Sequence, residues 1–325
     1  MTSAPSTEYD RFGPWIDRVE SPDDVPRLFR GHEIDFGSSP TVLKVPRNVA
    51  RRDAHPAMDL YDHLVVLQGR TLTCLSRRTT VADGPGFDRT DVPVDDVVAI
   101  RDAVSLLDGS LTIRSRTGAQ VRFAYNGSAR SAVTGLVDEL RGLLTPAAPA
   151  SLGGRLRAAT AEHALPTSAI ALQAVDVALV SDHRAAARAL PGLTAWACHD
   201  RVVVTPRPGG LVGSVRRALH ALNPMTLHGG VLAGDDVALE VFGRHASLIR
   251  GRAPALSASR LVVPWAGLDR VEVEPHPVYE GVSDVVLVGG ASTSTLHLPS
   301  GSRTTRVLTA AVERAQQSPP RTPRD

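Results

Sequence analysis

A chain of 325 residues is long enough for two units of ordinary size, each burying its own core. With 42% hydrophobic and 22% charged residues it reads as a soluble globular protein, and a net charge of +2 argues against a general polyanion binder. A single lysine, Lys44, stands among 36 basic residues, which we read as the coding bias of a GC-rich bacterial genome.

Residues 1–10 are polar, hold no signal-peptide core and are expected to be disordered, as is the tail 318–325. No stretch approaches the ~20 apolar residues that span a bilayer, so the expected location is the cytoplasm. Leu64–Leu67 and Thr71–Leu75 flank Gln68-Gly69-Arg70 and predict a hairpin. Leu111 and Ile113, then Val121, Phe123 and Tyr125, alternate with polar residues, which predicts strands with one face on a core. Asn126-Gly127-Ser128 matches a glycosylation sequon and is read as a turn. Ser128 is placed to cap a helix whose Val133, Leu136, Val137, Leu140 and Leu144 share a stripe.

A Pro/Ala/Gly-rich linker covers 145–154, and 155–190 reads as helical with a break near Pro166 and a cap at Thr167 or Ser168. Strands follow at Val237–Phe242, His245–Ile249, Leu261–Trp265, Leu268–Val273, Val285–Val288 and Thr293–Leu298. The last element is a helix from about Ser302 to Gln316, with Val307, Leu308, Ala311 and Val312 turned inward. Cys74 and Cys198 lie in apolar runs and read as buried, reduced thiols, with no disulfide framework or metal knuckle.

Landmarks recur in the two halves. Val42–Arg47 answers to Val202–Arg207, Gly69-Arg70 to Gly243-Arg244, and Val92-Pro93 to Val263-Pro264, and each half finishes in an amphipathic helix. A duplicated unit is therefore expected. On these hairpins, Val-Pro strands and closing helices, the chain resembles tandem pleckstrin-homology-like (PH-like) domains of the bacterial kind. Ala197–Pro206, Phe12–Ile16 and Val45–Arg52 are also similar to stretches of uncharacterised bacterial proteins on this plan. The resemblance implies a β-rich α+β fold. Two curved antiparallel sheets or partly open barrels are each closed by a C-terminal helix and joined by a helical linker. Its boundaries are 11–145 for the first domain, 146–192 for the linker, and 193–317 for the second domain with an insert at 207–232. It implies binding or scaffolding and brings no catalytic residues.

Walker loops, dinucleotide glycine fingerprints, HExxH and nucleophile elbows are missing, and Gly229-Gly230 and Gly289-Gly290 are pairs that any turn may hold. Lys44, Arg47, Arg51 and Arg52 form the densest cationic stretch and are the candidate anion site, although Asp53, Asp59 and Asp62 offer them internal partners. His55, Asp59, Asp62 and His63 have metal-ligand chemistry, but Pro56 and a strand start keep them off one helical face. At helical spacing Leu211, Val212, Val215, Leu219 and Leu222 oppose Arg216, Arg217 and His220. This basic amphipathic segment, 210–222, could contact a partner or a membrane surface. Trp15, Trp196 and Trp265 are expected in cores, and aromatics at 4% argue against nucleic-acid binding.

The reading is a non-catalytic binding or scaffolding protein for an unidentified protein partner, with no cofactor and no metal. The alternatives are a membrane-associated adaptor using 210–222 and a metal-dependent enzyme centred on His55, Asp59, Asp62 and His63.

Overall fold

A computed structural model describes residues 8–79, 84, 86–208, 220, 224–251 and 257–317. In the first half Asp17–Arg18 (β1), Thr41–Pro46 (β2), Tyr61–Gln68 (β3), Thr71–Arg77 (β4) and Phe87–Pro93 (β5) form an antiparallel sheet in chain order. Gly69, at φ +57, makes the tight β3–β4 turn that a side chain would strain. A 3-10 turn at Val94–Asp96 then leads into an antiparallel meander, Val97–Ser105 (β6), Asp108–Ser115 (β7) and Gln120–Asn126 (β8). The helix Arg130–Gly142 (α2) closes this half.

The second half repeats that order. Thr194–His199 (β9), Gly230–Gly234 (β12), Ala238–Gly243 (β13) and Ser257–Pro264 (β15) pair antiparallel in turn. A 3-10 turn at Trp265–Gly267 follows, then Arg270–Pro275 (β16), Val282–Gly289 (β18) and Ser292–Pro299 (β19), and finally helix Arg303–Gln317 (α5). Val202–Pro206 (β10), Met225–Leu227 (β11), Ile249–Arg250 (β14) and Tyr279–Glu280 (β17) make a side sheet in the order β14-β11-β10-β17. The fold is thus β-rich α+β with several antiparallel sheets, none closed into a barrel.

The halves are joined edge to edge. β15 pairs with β6, with Arg260 opposite Asp102 and Val262 opposite Ile100, so one seven-stranded sheet runs β8-β7-β6-β15-β13-β12-β9. Side chains alternate across a strand, and the two cores take opposite faces of the junction. Ile100, Val104, Ala238 and Val262 belong to the core beneath α2, whereas Ala99, Leu261 and Val263 belong to the core beneath α5.

The helix stripes fall where the period of 3.6 places them: Val133, Leu136, Val137, Leu140 and Leu144 are buried, as are Val307, Leu308, Ala311 and Val312. Other expectations change. Ser128 is no cap: Asn126 Oδ1 accepts its N–H at 3.0 Å, and a 3-10 turn, Gly127–Ala129, precedes α2. Between the halves Leu152–Ala161 (α3) starts inside the expected linker, its Ser151 cap accepting Gly154 N–H at 3.1 Å. Pro166 ends regularity for longer than expected. Two 3-10 turns, Thr167–Ala169 and Ala174–Asp176, precede Ala178–Ala189 (α4). Residues 8–10, expected to be disordered, lie in a short helix, Glu8–Arg11 (α1), and Glu8 Oε2 accepts Arg27 N–H at 2.9 Å. Residues 1–7 and 318–325 lie outside the described residues.

Of the paired landmarks only Val-Pro is in step, ending β5 and β15 before equivalent 3-10 turns. Gly243 is the last residue of β13 and Arg244 follows it, whereas the turn equivalent to Gly69-Arg70 is Asp235–Val237, and Ile249 pairs with β11 instead of β13. Val202–Pro206 lies in the side sheet, and the counterpart of β2 is β9. The expected insert 207–232 ends within β12, a strand of the main sheet. Trp196 and Trp265 stack with ring centroids 6.0 Å apart in a core, but Trp15 is 53% exposed. Both thiols are free. Cys74 is buried, whereas Cys198 is half-buried and donates to Ala171 O at 3.3 Å.

Candidate functional site, the groove over the shared sheet

Helices α2 and α4 lie over the same face of the seven-stranded sheet and leave a groove of about 280 Å³ between them. Asp102 of β6, Phe242 of β13 and Arg260 of β15 form its floor, Arg130, Thr134, Val137 and Asp138 one wall, and Asp182, Ala185 and Ala186 the other. The floor exists only because the two halves share a sheet.

Around it runs a buried ionic network. Glu240 of β13 is fully buried and takes Arg260 Nε on Oε2 at 2.7 Å and Arg141 Nε on Oε1. Arg141 also reaches Asp235 at 2.6 Å, and Arg260 reaches Asp138 at 2.6 Å. Arg141 and Asp138 come from the first half and the other three from the second, so these pairs tie the halves together. Burial works against the Arg260 charge, but the Glu240 and Asp138 carboxylates more than offset it and hold the guanidinium protonated.

Asp102 is different. It is 6% exposed, it stands directly opposite Arg260, and yet Arg260 turns to Glu240 and Asp138 instead. Its one hydrogen bond is from the Tyr125 hydroxyl to Oδ1. Burial raises the Asp102 pKa, against the Tyr125 hydrogen bond and the more distant Arg130 and Arg260 charges, which lower it. Burial also raises that of Asp182, whose nearest cation is Arg130 at 3.7 Å.

The residues singled out in the sequence do not converge. Lys44 is buried in β2 opposite Asp17, its Nζ 5.4 Å from the centre of the Tyr61 ring. Arg51 lies over the Tyr9 ring and donates to Tyr9 O and, at 2.9 Å, to Phe12 O, which ties down the N-terminal segment. Arg47 lines a separate cleft with Pro14 and Leu107, and Arg52 meets Asp53 at 3.7 Å in solvent. Asp59 pairs with Arg27 at 3.1 Å, Asp62 with Arg77 at 2.7 Å, and His63 Nδ1 with Ser76 Oγ at 2.9 Å, while the His55 carbonyl closes a turn with Met58. Leu211, Val215, Arg216, Arg217, Leu219 and Leu222 lie outside the described residues.

Among the described residues the group close enough to share an ion is His276, Asp284 and His297. Asp284 and His297 are cross-strand partners, with Nδ1 to Oδ1 at 2.7 Å. His276 Nδ1 accepts the N–H groups of Val278 at 2.9 Å and Tyr279 at 3.2 Å, so its ring proton sits on Nε2. A ligating imidazole needs the reverse, a bare nitrogen toward the metal and a proton on the other. The three side chains therefore fit a hydrogen-bonded cluster and do not fit a metal centre.

The groove residues had a signal in the sequence. Glu240 interrupts Val237-Ala238-Leu239 and Val241-Phe242, and Arg101-Asp102 interrupts Val97–Val104. A charge inside an apolar strand needs a partner, and that partner marks a junction.

No family model, curated protein or solved structure matches this chain. Among the described residues no helix is long and apolar enough to cross a membrane.

Proposed function

We propose that the chain is a non-catalytic binding and scaffolding protein of two PH-like domains, 11–145 and 193–317, that receives a protein partner in the groove between α2 and α4. The observation carrying this reading is that the groove spans both halves: Asp102 and the α2 wall come from the first, and Phe242 and Arg260 of the floor come from the second. A ligand there senses the joined pair, as a scaffold requires. Helix walls over a sheet floor also suit an extended segment whose side chains enter between helices. The recurrence of four strands, a 3-10 turn, three strands and a helix supports the tandem PH-like assignment.

The test is affinity capture from the native host with the full chain and with Ala185→Trp, which fills the groove from an exposed wall position. We expect a partner retained by the parent and lost in Ala185→Trp at unchanged melting temperature. A partner set identical for both proteins overturns the reading.

A further inference from the structure

We propose that the groove binds a single organic cation, a primary ammonium or guanidinium, presented on a partner's lysine or arginine side chain or by a free diamine. This rests on reading the groove as a binding site and adds the chemistry of what enters it.

The argument begins with charge. The groove residues and their ion-paired neighbours comprise the carboxylates Asp102, Asp138, Asp182, Asp235 and Glu240 and the guanidiniums of Arg130, Arg141 and Arg260. Counted with every carboxylate ionised, two negative charges are left over. His183, behind Phe242 with both ring nitrogens unpartnered, does not make up the difference, because burial lowers its pKa and keeps it neutral. Asp182 has Arg130 at 3.7 Å, so the carboxylate left without a cation in contact is Asp102 in the groove floor. A carboxylate 94% removed from solvent, with one hydroxyl donor and no cation in contact, costs stability unless something compensates it.

Size and lining select the cation. About 280 Å³ lies just below the range of small-molecule sites and suits one side chain. Val137, Ala185, Ala186 and Phe242 offer apolar contact to a methylene stem while the head reaches Asp102. A hard divalent ion would want several carboxylate oxygens gathered around it, and among the described residues the groove carboxylates are not grouped closely enough to share one.

The experiment is calorimetric titration of the full chain at pH 7 with agmatine, with putrescine and with an end-blocked Gly-Arg-Gly peptide. N,N'-diacetylputrescine, which lacks both charges, and magnesium chloride serve as comparisons. We expect one-to-one binding of at least one guanidinium or diamine probe, weakened at least about tenfold by Asp102→Asn. Asp102→Asn should melt no lower than the parent, so the loss is not misfolding. Binding of agmatine alone assigns the site to a free amine, and binding of the peptide assigns it to a partner's side chain. No binding by any cationic probe up to about 10 mM overturns the proposal. Equal binding by Asp102→Asn, or magnesium binding in place of the amines, does so too. If agmatine binds while Ala185→Trp keeps its protein partner, the cation site stands and the scaffolding groove falls. If a partner is lost in Ala185→Trp while no cationic probe binds, the reverse holds.

Discussion

Two pairs of strands occupy equivalent places in the halves and meet opposite fates. β15 ends the run β9-β12-β13-β15 of the second half as β5 ends β2-β3-β4-β5 of the first, and β6 opens the three-strand run as β16 does in the second. β15 and β6 are zipped together, whereas β5 and β16 are sheet edges. Their sequences account for the difference. The joined strands read Val-Val-Ala-Ile-Arg-Asp-Ala-Val-Ser and Ser-Ala-Ser-Arg-Leu-Val-Val-Pro and are buried at most positions. The open ones read Phe-Asp-Arg-Thr-Asp-Val-Pro and Arg-Val-Glu-Val-Glu-Pro, where Asp88, Arg89, Asp91 and Glu274 are exposed and Pro275 has no N–H to give. Counting back from the shared Val-Pro, Asp91 stands where the junction has Val262. The β6–β15 contact joins unlike edges, and such a contact repeated between chains builds an open head-to-tail array. Charges and a proline on the remaining edges oppose that repetition.

The largest expected effect comes from breaking the joined side. Glu240→Ala removes the carboxylate that both Arg141 and Arg260 contact and leaves two buried guanidiniums undercompensated. We expect a loss of about 3–5 kcal/mol in urea unfolding. Replacing Glu240, Arg141 and Arg260 together by Leu, Met and Met should cost less, because the carboxylates that lose their arginines, Asp235 and Asp138, reach solvent where Glu240 does not. A Glu240→Ala loss under about 1 kcal/mol would mean the network does not tie the halves.

This contrast also marks how far the sequence could be read. The alternation at Leu111–Ile113 and Val121–Tyr125 and the stripes of α2 and α5 were legible because side-chain period is a local property. Val92-Pro93 and Val263-Pro264 were legible as equivalent strand ends because proline ends pairing wherever it falls. The junction was not, since period tells which face of a strand is buried but nothing of which edge it offers or to whom. Gly243-Arg244 misled for a related reason: a glycine followed by a polar residue is a turn signal that many loops share, and the true equivalent turn is Asp235–Val237. Lys44, grouped with the candidate anion site, faces Asp17 and the Tyr61 ring, a placement fixed by β1, a strand of two residues. The anion and metal candidates clustered in sequence only, because each carboxylate found an arginine from another strand or loop.

Histidine placement separates the halves next. Val45 pairs with His63 in the first half, and His199 pairs with Gly230 at the matching register in the second. Gly230 is needed there, as a Cβ would come within 2.9 Å of the His199 ring. His199 Nε2–H donates to His228 O at 3.2 Å, a bond that favours the charged ring, and Nδ1 meets Thr304 Oγ1 at 3.1 Å. Burial lowers its pKa from 6.5 to about 4. The folded state then binds fewer protons than the unfolded chain between these values. Stability is fully present above about pH 6.5 and falls as pH drops toward 4, by roughly 3 kcal/mol at most from this residue. Urea midpoints at pH 7 and pH 4.5 should therefore move closer together in His199→Gln. An unchanged gap would mean other groups set the acid limb.

The smallest effect on stability should come from the open edge, where the effect on assembly should be greatest. Arg89→Val with Asp91→Val gives β5 the apolar character of β15 at exposed positions, at a cost of about 1 kcal/mol for the Thr73 Oγ1–Asp91 Oδ1 hydrogen bond of 2.6 Å that is lost. The altered edge resembles the one that β6 accepts inside the chain, and β16 of a second molecule offers the equivalent place. We expect the parent mass in light scattering to be independent of concentration and the double variant to associate as concentration rises. Pro275 removes one ladder donor from the receiving edge, so association should strengthen further when Pro275→Val is added. If the double variant scatters like the parent at every concentration, charge on β5 is not what keeps the two edges apart. The control would then lie in the shape of the 3-10 turns that aim β5 and β16 away from their equivalents.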